Sequence, residues 1–216
     1  MIVVLLGPPG AGKGTQGERV AAALGVPKIA TGDVLRAAVK AGTTLGLEAK
    51  GYMDCGDLVP DAVILGIMKQ ALAAPEQARG VVLDGVVRTV PQAEGLSHVL
   101  AELGKPLDVV MLFTIAEEAL VARLSGRTVC DACQTPFTGR SAGETHAECT
   151  HAPKGTLVRR KDDEPAAIHN RMAVYEAQTA PVVSWYRTHG ANIAEIDALG
   201  ELDDVTVRAL KAVGIG

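Results

Sequence analysis

A lysine preceded by closely spaced glycines can define a ligand by backbone geometry alone. The stretch Gly7-Pro8-Pro9-Gly10-Ala11-Gly12-Lys13-Gly14-Thr15 has that form. Its glycines permit conformations that turn several N–H groups inward around a phosphate, a following helix N-terminus adds partial positive charge, and Lys13 can reach β- and γ-phosphates. The fit to G-x-x-x-x-G-K-[ST] is imperfect, because Gly14 stands where Ser or Thr should follow the lysine. That hydroxyl normally touches Mg²⁺, so the metal is expected to be held here more through water and phosphate oxygens.

Arg36, Arg88, Arg123, Arg127, Arg160 and Arg171 form a second group. Arginine suits polyanions because its planar fork engages two phosphate oxygens and keeps its proton. Arg123 and Arg127 are spaced i,i+4, so a helix there would present both on one face. Arg88 follows a strand end, the usual place for sites in open α/β sheets. Asp33 and Asp84 are the nearest carboxylates, readable either as turn or helix-cap residues or as acids near a metal's water shell.

Cys130-Asp131-Ala132-Cys133 has the C-x₂-C spacing that lets two thiolates chelate one tetrahedral Zn²⁺, and Cys149 lies nearby. A fourth ligand could come from His151 (C-x-H) or from His146, where His146-Ala147-Glu148-Cys149 has knuckle spacing. A metal-free segment, or a Cys130–Cys133 disulfide formed on oxidation, is the competing state. Cys55 reads as a packing or surface thiol. His98, His169 and His189 fall in predicted helices without a partner pattern.

The elements that must position these groups alternate. Strands are expected at residues 2–6, 28–30, 80–83, 109–113 and 193–196. Helices are expected at 13–24, 33–41, 61–73, 91–103, 116–124, 164–188 and 202–213. Buried aliphatic strands interleaved with helices argue an α/β fold with a parallel sheet covered on both faces. Residues 128–155 break the rhythm with Gly, Thr, Cys, His and Pro, and read as an inserted functional segment. Of 216 residues 48% are apolar and 21% charged, which excludes wholesale disorder. A net charge of −4 supplies no global basic field for nucleic acid or anionic lipid, so an anionic ligand needs a local concentration of Arg and Lys. No apolar run is long enough for a membrane span, and the apolar start lacks the basic flank of a signal peptide. A reducing, cytoplasmic setting is the expectation, in which clustered cysteines suggest metal before disulfides.

The variant G-x-P-G-x-G-K-G-T resembles the nucleoside monophosphate kinases, and within them the long-lid bacterial adenylate kinases. Thr31-Gly32-Asp33-Val34-Leu35-Arg36 is similar to the family's TGD-x-LR segment. Leu83-Asp84-Gly85-Val86-Val87-Arg88-Thr89 is similar to its DGFPRT segment, with Gln92 at the usual distance. Arg123, Arg127, Arg160-Lys161-Asp162-Asp163 and Arg171 resemble the arginines flanking and following the lid. The resemblance covers nearly the whole chain. It departs at Val86-Val87, which replace Phe-Pro, and between Cys133 and Cys149, which lacks the usual lid pattern.

The resemblance implies a P-loop core (1–30, 61–124 and 164–216), a monophosphate-binding insert (31–60) and a lid (125–163). It implies reversible transfer from MgATP to AMP giving two ADP, by a monomer. ATP would be held by Gly10, Ala11, Gly12, Lys13, Gly14, Thr15, Arg123, Arg127 and Gly200. AMP would be held by Thr31, Arg36, Asp57, Leu58, Val59, Gly85, Arg88, Gln92, Arg160 and Arg171. Lys13, Arg88, Arg127, Arg160 and Arg171 would be catalytic, with Asp84 and Asp33 near Mg²⁺. Placing the family's second knuckle by its distances from Cys133 and to Arg160 favours His151 over His146 beside Cys130, Cys133 and Cys149 on a structural zinc. A GTP:AMP phosphotransferase or a UMP/CMP kinase is the near alternative. A P-loop switch or a zinc-binding interaction module is the distant one, opposed by arginines sufficient for two nucleotides.

Overall fold

The computed structural model describes residues 1–74 and 79–216. Five parallel strands, β1 (Ile2–Leu6), β2 (Lys28–Ala30), β3 (Val81–Asp84), β4 (Val109–Thr114) and β8 (Ile193–Asp197), form one sheet in the order β2-β3-β1-β4-β8. Their continuous apolar runs are explained by burial on both sides. Ile2, Val4 and Leu6 pack into one core with Leu83, Val110 and Leu112, whereas Val3 and Leu5 pack into the other with Val82, Met111 and Phe113. Helices α4 (Asp61–Leu72), α5 (Val90–Glu102) and α8 (Ala180–Thr188) cover the first face. Helices α1 (Lys13–Leu24) and α9 (Leu202–Ala212) cover the second.

Two segments leave this core. Residues 31–60 fold as helices α2 (Thr31–Lys40) and α3 (Thr44–Cys55). After α6 (Glu117–Ser125), β5 (Arg127–Cys130), β6 (Pro136–Thr138) and β7 (Leu157–Val158) make a small antiparallel sheet in the order β6-β5-β7. The two segments touch, with Lys40 Nζ donating to the Asp131 carbonyl at 3.4 Å.

Three expectations are corrected, and one helix had no expectation. Residues 31–33 do not form a turn before a helix: α2 starts at Thr31, with extended Ala30 as its cap. α3 had no sequence signal. Arg123 and Arg127 do not share a helix, because α6 stops at Ser125 with Gly126 as its cap and Arg127 opens β5. The single helix expected over 164–188 is interrupted: α7 (Pro165–Val174) passes through a π-helical turn at Tyr175–Thr179 into α8. Pro181 has no N–H to give back to the preceding turn, which accounts for the widened backbone there.

Candidate active site

The phosphate loop leaves the C-terminal end of the central strand β1 and enters α1. Gly10 and Gly12 take φ of 84° and 85°, a left-handed region in which a side chain is strained. Lys13 folds back over the loop, its Nζ donating to the Gly7 and Pro8 carbonyls at 2.6 and 2.8 Å. Loss of water around its ammonium is the main reason its pKa is lowered to about 8; Arg88, Arg171 and Arg127 push the same way and Asp84 opposes them. Gly14 gives room to Asp84: a Cβ there would lie 3.3 Å from Asp84 Oδ2. Gly14 thus leaves a carboxylate close to the phosphate loop.

A second half of the site forms where β3 meets the helical insert. The Thr31 hydroxyl donates to the Gly85 carbonyl at 2.6 Å. Arg36 pairs with Asp33, which therefore serves that arginine and caps no helix. The Arg88 N–H donates to Gln92 Oε1 at 2.7 Å and its Nε to the Gly85 carbonyl at 3.1 Å. Gly85 takes φ of 62°, where a side chain is strained, and a Cβ there would also meet Arg88 Nη2 at 2.8 Å. Asp61 fixes the turn from below, accepting from Gln92 Nε2 at 2.7 Å and from the Thr89 hydroxyl at 3.0 Å.

Further arginines around β5 complete the arrangement. Arg127 engages Asp163 through both Nε (2.7 Å) and Nη2 (2.6 Å), and Arg171 Nη1 reaches the same carboxylate at 3.0 Å. Arg123 Nη2 donates to the Ala198 carbonyl at 2.9 Å. Buried Asp163 thus serves two arginines. Among the described residues, Arg160 Nε and Arg36 Nε are buried without a hydrogen-bond partner. Desolvation, then Arg36 and Arg127 beside it, brings the Arg160 guanidinium down to about 10. Arg88 opens to the cleft, yet the crowding around it and the neighbouring Arg171 also pull its pKa down. These cations repel one another in a chain of net charge −4. Such a cluster is stabilised by an anion between them.

One cleft of about 870 Å³ collects these groups. Its walls include residues 10–15, Thr31, Asp33, Arg36, residues 57–59, Asp84, Gly85, Arg88 and Gln92. They also include Arg123, Arg127, Arg160, Arg171 and Gly200, so every nucleotide-site residue singled out in the sequence lies on it. Sequence reasoning missed the lid's contribution, Pro136, Phe137 and Thr138 of β6, and missed Gln16 and Leu202. β6 is three residues long, too short to show a strand period, whereas Gln16 sits in plain view one residue beyond the motif.

In the lid, Cys130, Cys133, His146 and Cys149 place one ligand atom each within 4.8 Å of one another. His146 occupies the place expected of His151. His146 is 6% exposed and its Nδ1 lies 3.3 Å from Cys133 Sγ. His151 is exposed and approaches only Cys149, at 3.8 Å. Chain direction explains the exchange. The His146 N–H donates to the Gly155 carbonyl and the Cys149 N–H to the His146 carbonyl, a tight turn that aims both side chains inward. Three soft thiols and an imidazole are a donor set for tetrahedral Zn²⁺. Backbone N–H groups of Gly155 and His151 pull the Cys149 thiol down toward the ligating thiolate, while burial pushes the Cys130 thiol up. The buried apolar content around the cluster is Cys130, Cys149 and Leu157 alone among the described residues, too little for a core without a cross-link. The remaining cysteine, Cys55, is a free surface thiol.

The family model described as adenylate kinase matches residues 5–191. An adenylate kinase of Gemmatimonas aurantiaca is 67% identical over 216 residues, covering 100% of both chains. One from Geobacter sp. strain M21 is 45% identical over 213 residues, covering 99% of each. One from Methanosarcina acetivorans is 41% identical, covering 99% of this chain and 98% of its own. With a phosphate loop and a second arginine-lined half joined in one cleft, and with likeness running the whole length, this chain belongs to the adenylate kinase family.

Proposed function

We propose that the chain transfers the γ-phosphoryl group of MgATP to AMP, reversibly, giving two ADP. The observation that carries this reading is the single cleft shared by a phosphate loop and a second arginine set, since a nucleotide switch needs only one nucleotide site. Residues 10–15 with Arg123, Arg127 and Gly200 take the triphosphate. Thr31, Arg36, residues 57–59, Gly85, Arg88 and Gln92 take the monophosphate. Arg160 and Arg171 join the monophosphate side and act in transfer. Phosphoryl transfer asks the protein for position and charge, not covalent chemistry. Lys13, Arg88, Arg127, Arg160 and Arg171 supply it, exchanging Asp163 and backbone carbonyls for phosphate oxygens. Mg²⁺ arriving with ATP would neutralise charge on its phosphates, and Asp84 and Asp33 would be the carboxylates near its water shell.

Because water competes with AMP as acceptor, the lid and the helical insert must cover the cleft before transfer. Cys130, Cys133, Cys149 and His146 would hold a structural zinc, since four protein ligands would leave no position for substrate. Lid cysteines that are not joined in disulfides suit a reducing cytoplasm. Among the described residues no helix is long and apolar enough to cross a membrane.

The test is ADP formation with a panel of acceptors (AMP, GMP, UMP, CMP) and of donors (ATP, GTP). The reading predicts ATP with AMP as the preferred pair. Preference for UMP or CMP, or for GTP as donor, would replace it by a sister activity.

A further inference from the structure

We infer that Gln16 is a positioning residue for the triphosphate half of the cleft, fixing the loop before α9 relative to the phosphate loop. The inference rests on the reading of that half as the MgATP site. Gln16 stands in the first turn of α1, three residues beyond Lys13, and is 2% exposed. Both ends of its amide are committed to α9. Nε2 donates to the Leu202 carbonyl at 3.0 Å, and Oε1 accepts from the Thr206 hydroxyl at 2.9 Å. Leu202 is the first residue of α9, and Gly200, Glu201 and Leu202 line the cleft. One buried side chain therefore ties the helix that carries the phosphate loop to the turn that forms a facing wall.

Other ties hold the loop but do not do this. Arg208 Nη2 donates to the Leu199 carbonyl at 3.0 Å and Arg123 Nη2 to the Ala198 carbonyl at 2.9 Å, yet neither residue belongs to α1. Arg19 does join α1 to Asp203 and Thr206, but Asp203 is 86% exposed, and an ion pair in water fixes little. A nucleotide gripped at its phosphates and at its nucleoside end gains from both grips only when their separation is fixed beforehand. Gln16 fixes that separation without touching the reacting atoms. Its amide cannot be replaced by a carboxylate of equal length, because the donor facing the Leu202 carbonyl would become an acceptor.

The experiment measures KM for ATP and for AMP separately, with melting temperature, in Gln16→Glu, Thr206→Val and Thr206→Ser. One buried polar group left unmatched predicts a rise in KM for ATP of about 5- to 150-fold in Gln16→Glu, with KM for AMP held within about twofold. Thr206→Val should move KM for ATP in the same direction by less, and Thr206→Ser should return it to the parent value. Equal rises in both KM values, following the melting temperature, would reduce Gln16 to a stabilising residue and overturn the inference. Unchanged KM for ATP in Gln16→Glu would overturn it while leaving the proposed reaction standing, and parent protein that makes no ADP from ATP and AMP would remove the reading beneath it. Should Gln16→Glu not fold, the Thr206 pair decides: equal KM for ATP in the valine and serine variants refutes the role.

Discussion

Arg127→Lys separates the geometry of a charge from its presence. Arg127 makes two parallel charge-assisted bonds to Asp163, at 2.7 and 2.6 Å, from Nε and Nη2. A phosphoryl oxygen pair presents the same fork. Lysine keeps the positive charge but makes one such contact where arginine makes two. Losing one hydrogen bond to a charged group costs about 1.5–3 kcal/mol, which is roughly 10- to 150-fold in rate. Removal of an arginine finger altogether sets an upper range of about 10³–10⁵. The expected fall in kcat is therefore of order 10²-fold. KM for AMP should change little. The fold should hold, because Arg171 still reaches Asp163 at 3.0 Å. A coupled assay of ADP formation reads kcat, and thermal melting reads the fold. An unchanged kcat would remove Arg127 from the mechanism, and a kcat that falls only as far as the folded fraction falls would assign the residue to stability.

Zinc analysis of protein purified without chelator should give about one metal per chain, with retention lost in His146→Ala and kept in His151→Ala; the reverse pattern would return His151 to the site. Stripping the metal should lower the melting temperature while leaving transfer largely intact below it. Lys13 sets a pH dependence: its pKa in the free cleft is about 8, and a bound polyphosphate, being anionic, raises it. Binding then takes up a proton above that pH, so ATP affinity should be level below about 8 and fall toward about tenfold per unit above it. Calorimetric titration giving a flat affinity from pH 7 to 9.5 would contradict this. The Tyr186 hydroxyl is fully buried without a hydrogen-bond partner, and burial pushes its pKa up. Tyr186→Phe should therefore stabilise the chain by about 1 kcal/mol, a rise of roughly 2–4 °C in melting temperature, and a clear drop would reveal a hidden partner.

The parallel sheet was legible because its strands are unbroken aliphatic runs, a pattern that double-sided burial leaves in sequence. The nucleotide cleft was legible because its chemistry is concentrated in short motifs at strand ends. What escaped reading lacked a period. α3 contains Gly46 and Gly51, which look like breakers, yet a Cβ on Gly46 would fall 2.1 Å from the Ala38 carbonyl. That glycine is what lets α3 pack on α2. Spacing alone put Arg123 and Arg127 on one helix, although a helix end and a strand start both lie between them, and the two still reach the same cleft. The fourth metal ligand turned on chain direction within a loop. The H-x₂-C knuckle spacing of His146 and Cys149 did point to His146, and the family's distances led away from it to His151; the backbone bonds of His146 and Cys149 are what bring His146 to the cluster.

The most direct measurement follows ADP formed from MgATP as the AMP concentration is raised from zero, with AMP consumed recorded alongside. Two nucleotides bound in one cleft predict saturation in each, a rate with AMP far above the hydrolysis seen in its absence, and two ADP for every AMP used. ADP formation that AMP does not accelerate, or one ADP appearing with free phosphate, would mean that the second arginine set does not receive a nucleotide acceptor.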